Sequence, residues 1–487
     1  MGSNNRVSNR EKYHQYVPPT CPEKGYSFVA AATLYRNFGG YSVYVKYKSN
    51  DPHKITVKQT TKDYIWFVCP DRELVIVRNN QEMDAFYPYG DSFDEVVDFN
   101  LFNDSVSKAL GIEYIMTNYA HSTNSVNSRL GASLPPDERI QVLSDSGGLQ
   151  LARGLKESIH PVELMEFYNQ NADAGMVLDL PLFFSDPVIA KKAAYQQRAN
   201  VEAMLAVGKG VELINIFHGQ SPEERAMFRD IVEMPEIPRL ALGGIYGYLP
   251  LSSVNAIYNT ISGKQQYKQY HVLGIYTSEM VPLMVKLAHS AGVHLTSDSS
   301  SHLQSAANKA YHFQFDIHHN MKRIPIGTRG AEGNSMRYLP CQCKVCTTLK
   351  YTDILGFGDN RHTTELLAIH NAFEMTRYAK SLHETCLHST PREFNNLVGI
   401  QLKRNSLLAE VKGALEFIDI AGEYGIPEAQ LKYKAFIGRR KSLGEAVNPG
   451  LFGEGSEGTG IDEGQRKAAI LAQLKVMKRQ LAGVKAK

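Results

Sequence analysis

The order of short apolar segments along this chain predicts a (β/α)8, TIM-like barrel. Such segments recur through the middle of the sequence, at 112–117, 141–145, 176–179, 211–217, 239–243, 270–274 and 293–297. Most of the intervals between them have the amphipathic pattern of a helix, as in 160–172 and 186–208. Strands that alternate with helices form parallel sheets. Seven such units, with an eighth strand expected in the N-terminal region, favour a closed barrel over an open sheet.

Half of the six cysteines in the chain lie within one hexapeptide, Cys341-Gln342-Cys343-Lys344-Val345-Cys346, and His370-Asn371 follows on a helix-like segment. Three thiolates and one imidazole can complete a tetrahedral zinc site. A local disulfide fits poorly, because three thiols cannot pair evenly and nothing in the sequence resembles a secreted protein. A site closed by four ligands has no position for water. We therefore expect structural Zn²⁺ held by Cys341, Cys343, Cys346 and His370.

The segments on either side of the barrel differ from it in pattern. Before it, β-branched and aromatic runs such as 41–48 and 63–69 alternate with turn residues, which is typical of strands. After it comes a helical stretch at 398–424, and a glycine-rich linker at 448–460 then precedes a basic helix at 465–482. We divide the chain into a strand-rich N-terminal region that supplies the first barrel strand (1–108), the barrel (109–335), a zinc-binding subdomain with a closing helix (336–397), a helical basic extension (398–447), and a flexible linker with a basic terminal helix (448–487).

Composition places the chain among ordinary globular proteins. Of its 487 residues, 43% are hydrophobic and 21% are charged, which is typical of a soluble fold. No apolar run approaches the ~20 residues that span a membrane, and residues 1–18 lack the apolar stretch of a secretory signal. We therefore expect a cytoplasmic protein with no membrane partner. The net charge of +3 is too small to identify a polyanionic partner by itself.

Cationic residues nevertheless cluster near the C-terminus. Residues 431–444 contain cations interleaved with Tyr433 and Phe436, and residues 461–487 contain seven Lys or Arg. Such a pattern suits phosphate contact combined with base stacking, although a solvated helix face would have the same composition. The candidate nucleic-acid-binding residues are Lys432, Lys434, Arg439, Arg440 and Lys441.

Three aspartates come at the ends of predicted strands. Asp145 ends the segment 141–145, Asp179 ends 176–179, and Asp298 follows 293–297. The C-terminal ends of barrel strands meet at one mouth, where active sites form. Asp145 and Asp298 are also suitable as helix caps or turn residues, but unrelated caps would not share one location. Two carboxylates beside one sugar carbon can cleave a glycosidic bond, and a third can accept hydrogen bonds from the donors on guanine's edge.

Together with the motifs around them, these residues resemble the tRNA-guanine transglycosylase superfamily over roughly residues 110–375. The resemblance rests on motifs that occur in the family's order and with compatible spacing: SDSGGLQ (144–150), Asp179, His218-Gly219, LGGIYG (242–247), HVLGIY (271–276), Asp298, CQCKVC (341–346) and His370-Asn371. It implies a base-exchange enzyme that needs no redox cofactor. In that scheme Asp298 is the nucleophile, Asp145 is the general acid and base, and the cysteines with His370 bind zinc.

The resemblance also implies a base-binding pocket. Asp179 grips the purine edge with help from Ser146 and the Gly243-Gly244 backbone, while Leu149 and Leu273 sandwich the base. The remaining positions that we assign to substrate binding are Asn118, Gly147, Gly148, His218 and Gly219.

Departures from the family pattern favour DNA over tRNA as the substrate. His218 stands where tRNA enzymes usually have Gln, the stretch after Gly243-Gly244 lacks the usual Glu, and Ser299-Ser300-Ser301-His302 replaces the Pro-Thr-Arg segment that helps hold the anticodon loop. The chain is most similar to the DpdA-type DNA 7-deazaguanine (preQ0) transglycosylases of phages and bacteria. Its expected partners are DNA and a free 7-deazaguanine, and its expected location is the cytoplasm, the host's for a phage protein.

Two alternatives stay open at the level of sequence. One is a transglycosylase that acts on tRNA, and the other is a non-catalytic, zinc-stabilised nucleic-acid-binding subunit. The presence of both Asp145 and Asp298 argues against the second. A homodimer is compatible with the sequence, which does not determine the oligomeric state.

Overall fold

The computed structural model describes the central part of the chain almost continuously and its N-terminal region in pieces. The described residues are 24–31, 41–47, 56–60, 64–68, 72–78, 94–99, 111–121, 140–152, 156–181, 186–208, 210–219, 221–245, 247–263, 267–307, 310–314, 321–325, 343–348 and 361–439. The predicted linker at 448–460 and the predicted helix at 465–482 lie outside them.

The strands of the described residues fall into a barrel, an N-terminal sheet and a hairpin. In chain order they are β1 (Gly25–Ala31), β2 (Tyr41–Tyr47), β3 (Thr56–Thr60), β4 (Tyr64–Val68), β5 (Arg72–Arg78), β6 (Glu95–Asp98), β7 (Tyr114–Asn118), β8 (Gln141–Asp145), β9 (Ala174–Met176), β10 (Glu212–Phe217), β11 (Arg239–Leu242), β12 (Gln269–Val272), β13 (His294–Ser299), β14 (Ala310–Gln314) and β15 (Met321–Pro325).

The helices of the described residues surround the barrel and continue beyond it. In chain order they are α1 (Gly148–Ala152), α2 (Pro161–Asn171), α3 (Pro187–Val207), α4 (Pro222–Val232), α5 (Pro250–Ile261), α6 (Met280–Ala291), α7 (Ser301–Ala307), α8 (Lys344–Thr348), α9 (Arg361–His388), α10 (Pro391–Gln401), α11 (Leu408–Tyr424) and α12 (Ile426–Lys432). None of these helices has the length and apolar character needed to cross a membrane.

Eight parallel strands close the barrel in the order β1-β13-β12-β11-β10-β9-β8-β7. The predicted TIM-like barrel is therefore confirmed. The eighth strand comes from the N-terminal region, where β1 pairs with β13 on one side and with β7 on the other. Between β1 and β7 the chain forms a separate antiparallel sheet in the order β3-β4-β5-β2-β6, so this connection carries an inserted sheet.

The third apolar segment differs from its predicted bounds. The segment 176–179 was predicted as a strand that ends at Asp179, but β9 covers Ala174–Met176 and Asp179 lies three residues beyond it. Small residues form this strand because the ring of Tyr168 packs onto it. A Cβ at Gly175 would lie 2.1 Å from a carbon of that ring. The apolar pattern in the sequence therefore continues past the residues that pair in the sheet.

A buried polar layer fills the N-terminal end of the barrel. Arg239 on β11 is fully buried and donates to Glu212, Gln141 and Gln269, which lie on three other strands. A side chain on β11 reaches β8 only through the barrel interior, so these residues point inward. Side chains two apart on a strand share a face. Asp145, His271 and Leu273 therefore also lie on the inner face, nearer the C-terminal mouth.

The C-terminal helices form a second layer on one side of the barrel. Helix α6 is apolar on all its faces because it packs between β1 and β13 on one side and α9 and α11 on the other. Its one lysine, Lys286, is buried and donates to Asp419 and Asn395 at 2.6 Å. The predicted single helical stretch at 398–424 is interrupted at Leu402–Leu407, where α10 ends before α11 begins.

Candidate active site

Asp145 ends β8 beside Asn118, its register partner at the end of β7. The Asn118 amide Nδ2 donates to Asp145 Oδ2 at 2.5 Å and to Gln150 Oε1 at 3.3 Å. The Asn118 Oδ1 accepts from the Ala120 backbone at 2.9 Å, which fixes the orientation of the amide. The predicted binding residue Asn118 therefore contacts the predicted acid and base directly.

The carboxyl of Asp145 holds its proton far more tightly than an ordinary aspartate. Burial raises its pKa, and the charges of Asp179 and Asp298 raise it further, to about 7. Hydrogen bonds from the Gly147 backbone and from Asn118 act in the opposite direction and lower the pKa. An acid whose pKa lies near neutrality can both give and accept a proton, which is what general acid and base catalysis requires.

Asp179 is buried at the centre of a hydrogen-bonded group. Its Oδ1 accepts from the Ser146 hydroxyl at 2.9 Å, and its Oδ2 lies 2.7 Å from His218 Nε2. Ser146 Oγ in turn accepts from the backbone N–H of Gly148 at 3.0 Å. The ring of Phe228 packs edge-on against His218 at 5.6 Å between centroids. Four predicted binding residues therefore form one rigid cluster around a buried carboxylate.

Two glycines let this cluster form. A Cβ at Gly148 would lie 2.4 Å from Asp179 Oδ1 and 2.5 Å from its backbone oxygen, and a Cβ at Gly243 would lie 2.4 Å from His218 Cε1. Real Cβ atoms do not approach other atoms so closely. The glycines in SDSGGLQ and LGGIYG therefore make room for the side chains of Asp179 and His218.

Asp298 lies on β13 with one carboxylate oxygen held and the other open. Its Oδ1 accepts from the backbone N–H of Gly274 at 2.7 Å and lies 3.2 Å from His271 Nε2. Its Oδ2 has no hydrogen-bond partner among the described residues, and the side chain keeps 16% of its surface exposed. A carboxylate anchored through one oxygen presents the other oxygen for attack.

The other predicted base-binding residues lie on the same rim. Leu149 is the second residue of α1, after Gly148, and Leu273 follows β12 next to Gly274; both are partly exposed. Gly147, Gly219 and Gly244 have positive φ angles, at turns that follow β8, β10 and β11. The structure therefore brings all three aspartates and their predicted neighbours to the C-terminal mouth of the barrel.

His271 and Thr296 also belong to the site, although neither residue was assigned a role from the sequence. His271 is buried and joins Asp298 to Thr296, whose Oγ1 lies 2.9 Å from His271 Nδ1. The available signal was a second polar residue, two positions after Gln269 on the same face of a short strand. That signal becomes informative only once the register places His271 opposite Thr296.

A second cluster can hold a metal ion. Cys343 Sγ and Cys346 Sγ each lie 3.2 Å from His370 Nδ1, and the ligand atoms of all three residues are within 4.8 Å of one another. Sulfur and nitrogen ligands in tetrahedral coordination are separated by about 3.5 Å, given metal bonds of ~2.3 and ~2.0 Å. The spacing fits one ion among the three atoms. The fourth predicted ligand, Cys341, lies outside the described residues.

Helix α9 connects this cluster to the strand of Asp298. His370 and Asn371 are neighbours on α9, and the Asn371 amide donates to the backbone carbonyl of His302, which follows β13. One turn further on, the Met375 carbonyl accepts from the hydroxyl of Tyr276 at 2.5 Å, and Ser301 Oγ lies 3.6 Å from Met375 Sδ. The helix that carries the histidine thus supports two loops of the barrel mouth.

The predicted basic segment packs beside the mouth, and its described cations differ in their surroundings. Lys432 pairs with Glu416, and Arg439 pairs with Glu410 at 3.0 Å, whereas Lys434 is exposed. The Arg439 carbonyl accepts from the Leu249 backbone at 3.1 Å, at the start of α5, so the segment lies next to the loop that follows β11. Arg440 and Lys441 lie outside the described residues.

A scan of the chain against models of protein families finds no match, and a comparison with curated proteins finds none either.

Proposed function

We propose that this chain is a DNA-guanine transglycosylase of the tRNA-guanine transglycosylase superfamily, and that it exchanges guanine in DNA for a 7-deazaguanine such as preQ0. The observation that carries the proposal is the pairing of two unlike carboxylates at one mouth. Asp298 is anchored through Oδ1 with Oδ2 open, while the pKa of Asp145 is raised to about 7 by burial and by the charges of Asp179 and Asp298. This division of roles suits a nucleophile and a proton carrier.

In the first half of the proposed reaction, Asp298 Oδ2 attacks C1′ of the nucleotide. The bond between C1′ and the guanine nitrogen breaks, and its electron pair leaves with the base. Asp145 supplies the proton that neutralises the departing guanine. The strand remains attached to Asp298 through a glycosyl ester.

In the second half, the incoming 7-deazaguanine gives its N9 proton to Asp145. Its N9 then attacks C1′, the bond between C1′ and Asp298 Oδ2 breaks, and the electron pair returns to the carboxylate. One glycosidic bond replaces another, so the cycle balances without ATP or a redox partner.

Asp179 is suited to read the Watson–Crick edge of guanine. A carboxylate oxygen has two lone pairs, and each Asp179 oxygen uses one of them, toward Ser146 or toward His218. The remaining lone pairs can accept from the ring N–H and the exocyclic amine, which are adjacent donors on guanine. Adenine presents no such pair of donors. The rigid placement of Asp179 therefore favours guanine and its 7-deaza relatives.

One feature supports DNA rather than tRNA as the polymer, and a second supports a nucleic-acid strand of either kind. The segment after the nucleophile turns into α7, where His302 is buried and no arginine is present. Cations also lie beside the mouth on a segment anchored to Leu249. Phosphate contacts of this kind bind a strand without reading its bases. In a duplex, the target nucleotide would have to be flipped out of the base stack, at a cost of roughly a few kcal/mol.

Zinc is the metal that we propose for Cys343, Cys346 and His370, with Cys341 as the fourth ligand. Thiolates and imidazole are the ligand types of structural zinc sites. When bound, the ion would tie the segment 341–348 to α9. The residues of α9 would then hold the loops after β12 and β13 in place, and the metal would take no part in the chemistry.

Incubation of the protein with labelled preQ0 and either a DNA oligonucleotide or tRNA tests the activity. We expect label in DNA, and a protein–DNA adduct that survives denaturation. Asp298→Asn should give neither product, because an amide cannot form the glycosyl ester. Asp145→Asn should slow exchange by roughly 10²–10⁴-fold through loss of proton transfer.

Asp186→Asn is the matched control for these variants. Asp186 caps α3 by accepting from the backbone of Val188 and Ile189, these hydrogen bonds involve none of the three site aspartates, and asparagine caps helices equally well. It should retain wild-type exchange. Incorporation of label into tRNA but not DNA would contradict the choice of polymer. An adduct of normal yield with Asp298→Asn would contradict the nucleophile.

A further inference from the structure

The carboxylate of Asp298 is the end of a chain of hydrogen bonds that runs into the barrel. Asp298 Oδ1 contacts His271 Nε2 at 3.2 Å, His271 Nδ1 contacts Thr296 Oγ1 at 2.9 Å, and Thr296 Oγ1 lies 3.2 Å from the Tyr270 carbonyl. His271 and Thr296 are register partners on β12 and β13, and both are buried. The imidazole therefore has little freedom to turn away from Asp298.

The hydroxyl of Thr296 can match either position of the His271 proton, and the charge of Asp298 selects between them. When the hydroxyl donates to His271 Nδ1, the neutral ring must carry its proton on Nε2. When the hydroxyl donates to Tyr270 instead, Nδ1–H donates to Thr296, and Nε2–H is present only in the imidazolium. A neutral ring with a bare Nε2 would set its lone pair against the ionised carboxylate, which is repulsive. With Asp298 ionised, Nε2–H therefore points at Oδ1.

We infer that His271 is a positioning residue that makes Asp298 a good leaving group, and that Thr296 holds it in that role; the inference rests on the proposed glycosyl-enzyme mechanism. While C1′ is bound to Oδ2, the Asp298 carbonyl oxygen is Oδ1. As the ester breaks, the returning electron pair spreads onto Oδ1, where Gly274 N–H and His271 Nε2–H already lie. Donors placed where charge develops stabilise the transition state.

The same donors weaken the ionised carboxylate as a nucleophile. Loss of His271 would therefore affect the two halves of the reaction unequally. In breakdown of the glycosyl ester, the transition state loses the hydrogen bond that stabilises the leaving carboxylate, so breakdown slows. In ester formation, the transition state loses part of the same stabilisation, but the free carboxylate loses it too and is a stronger nucleophile, so the two effects oppose each other. A residue that served only to pack the barrel would slow both halves alike or leave both unchanged.

His271→Phe tests this inference with a guanine-containing DNA oligonucleotide and free guanine as the probes. Adduct formation is followed by rapid quenching into denaturant, and breakdown is followed after a chase with excess free guanine. We expect breakdown to slow by roughly tenfold to a hundredfold. This effect is smaller than the loss of a single oxyanion donor usually causes, because the Gly274 N–H still donates to Oδ1. Formation should change much less, so the adduct should accumulate in the steady state.

Thr296→Val provides a second test that leaves the imidazole in place. Without the hydroxyl, His271 Nδ1 loses its hydrogen-bond partner and the ring is held less firmly against Oδ1, so breakdown should slow by about fivefold, as expected for one lost hydrogen bond. Thr296→Ser should restore the wild-type rate. Thr117→Val is the matched control, because Thr117 is a buried barrel threonine whose hydroxyl donates to the Leu143 carbonyl and contacts none of the three aspartates.

The outcomes separate the inference from the function on which it rests. A wild-type adduct, with breakdown slowed selectively in His271→Phe or Thr296→Val and restored in Thr296→Ser, supports both. A wild-type adduct whose formation and breakdown change equally in these variants, or not at all, overturns the role of His271 and leaves the proposed function intact. Absence of an adduct in the wild-type protein, with DNA and with tRNA, overturns the proposed function together with the inference.

Discussion

Gly148 and Asp179 lie so close that a methyl group on one would overlap the carboxylate of the other. The Cβ of an alanine at position 148 would be 2.4 Å from Asp179 Oδ1. Gly148 begins α1 without a positive φ, so the obstacle to a side chain there is overlap with Asp179, whose backbone oxygen would also lie 2.5 Å from the Cβ.

Gly148→Ala should therefore push the carboxylate and the backbone carbonyl of Asp179 away from α1 and separate Asp179 from Ser146 and His218. We expect weaker binding of the base, seen as an increase in KM for free guanine or preQ0 in the exchange assay. Gly399→Ala is the matched control, because a Cβ at that helical glycine would meet only the end of the Lys412 side chain at 3.6 Å. Equal KM values for the two variants would argue against Asp179 as the residue that grips the base.

The pH dependence of the two half-reactions should be opposite. The pKa of Asp145 is raised to about 7. Guanine departure needs the protonated acid, so adduct formation should be fastest below pH 7 and should fall as the pH rises through it. Breakdown needs the carboxylate to accept a proton, so it should rise with pH over the same interval. Rapid-quench measurements should cover about 1.5 pH units on either side of the Asp145 pKa, from about pH 5.5 to about pH 8.5. Over this range the rate of adduct formation should fall while the rate of breakdown rises.

The same raised pKa has a consequence for stability. An aspartate whose pKa is higher in the folded protein than in the unfolded chain binds more protons when folded, so stability is lost as the pH rises between the two pKa values. Asp145→Asn removes this cost and should stabilise the protein at pH 8 by on the order of 4 kcal/mol, since each pH unit between the two pKa values is worth ~1.4 kcal/mol. The gain should vanish near pH 4. Denaturant unfolding of both proteins at the two pH values measures it, and a gain that is independent of pH would argue against a protonated Asp145.

Loss of a metal ligand should destabilise the protein and release the ion. Cys343→Ser removes a buried thiolate that lies 3.2 Å from His370 Nδ1, and binding of a structural metal is coupled to folding. Elemental analysis should find about one zinc per wild-type chain and little in the variant, with a lower melting temperature. Cys386→Ser is the matched control, since Cys386 is a free cysteine on α9 outside the cluster. A wild-type protein without metal would contradict the zinc proposal.

Neutralising Arg439, Arg440 and Lys441 together should weaken DNA binding to many sequences alike. Each lost phosphate contact should reduce the slope of log affinity against log salt by about 0.9. Because Arg439 already pairs with Glu410 at 3.0 Å, most of the effect should come from the other two residues. Neutralising the exposed Lys191, Lys192 and Lys403 removes the same charge elsewhere. Equal effects of the two triple variants would show that net charge alone matters.

The barrel and its three aspartates were predictable because both depend on local patterns. Asp145 and Asp298 end or follow apolar runs, and parallel strands bring such ends to one edge. The eighth strand was not located, since Gly25–Ala31 has the same β-branched and aromatic character as its neighbours in the N-terminal sheet. Its place is decided by pairing with β13, far away in sequence. The contact between His271 and Thr296 depends on that same long-range register.

The partners of the basic residues could not be predicted for a similar reason. Lys432 and Arg439 form part of a cationic run in the sequence, but Glu416 and Glu410 come from α11, which packs beside them. The sequence shows which residues are charged, but which of them form ion pairs depends on how the helices pack. Lys434 is exposed, and its role in nucleic-acid binding stays a prediction.

The pairing of β1 with β13 also governs when the candidate site can form during synthesis. Val29 lies opposite Asp298, which is made much later, and Gly25 lies opposite His294. The ribosome must therefore release the chain well past β13 before the first strand finds its second neighbour. Contacts between such distant residues form slowly. Until then Asp298 lacks the strand that pairs beside it, so the candidate site is complete only after β1 and β13 have paired.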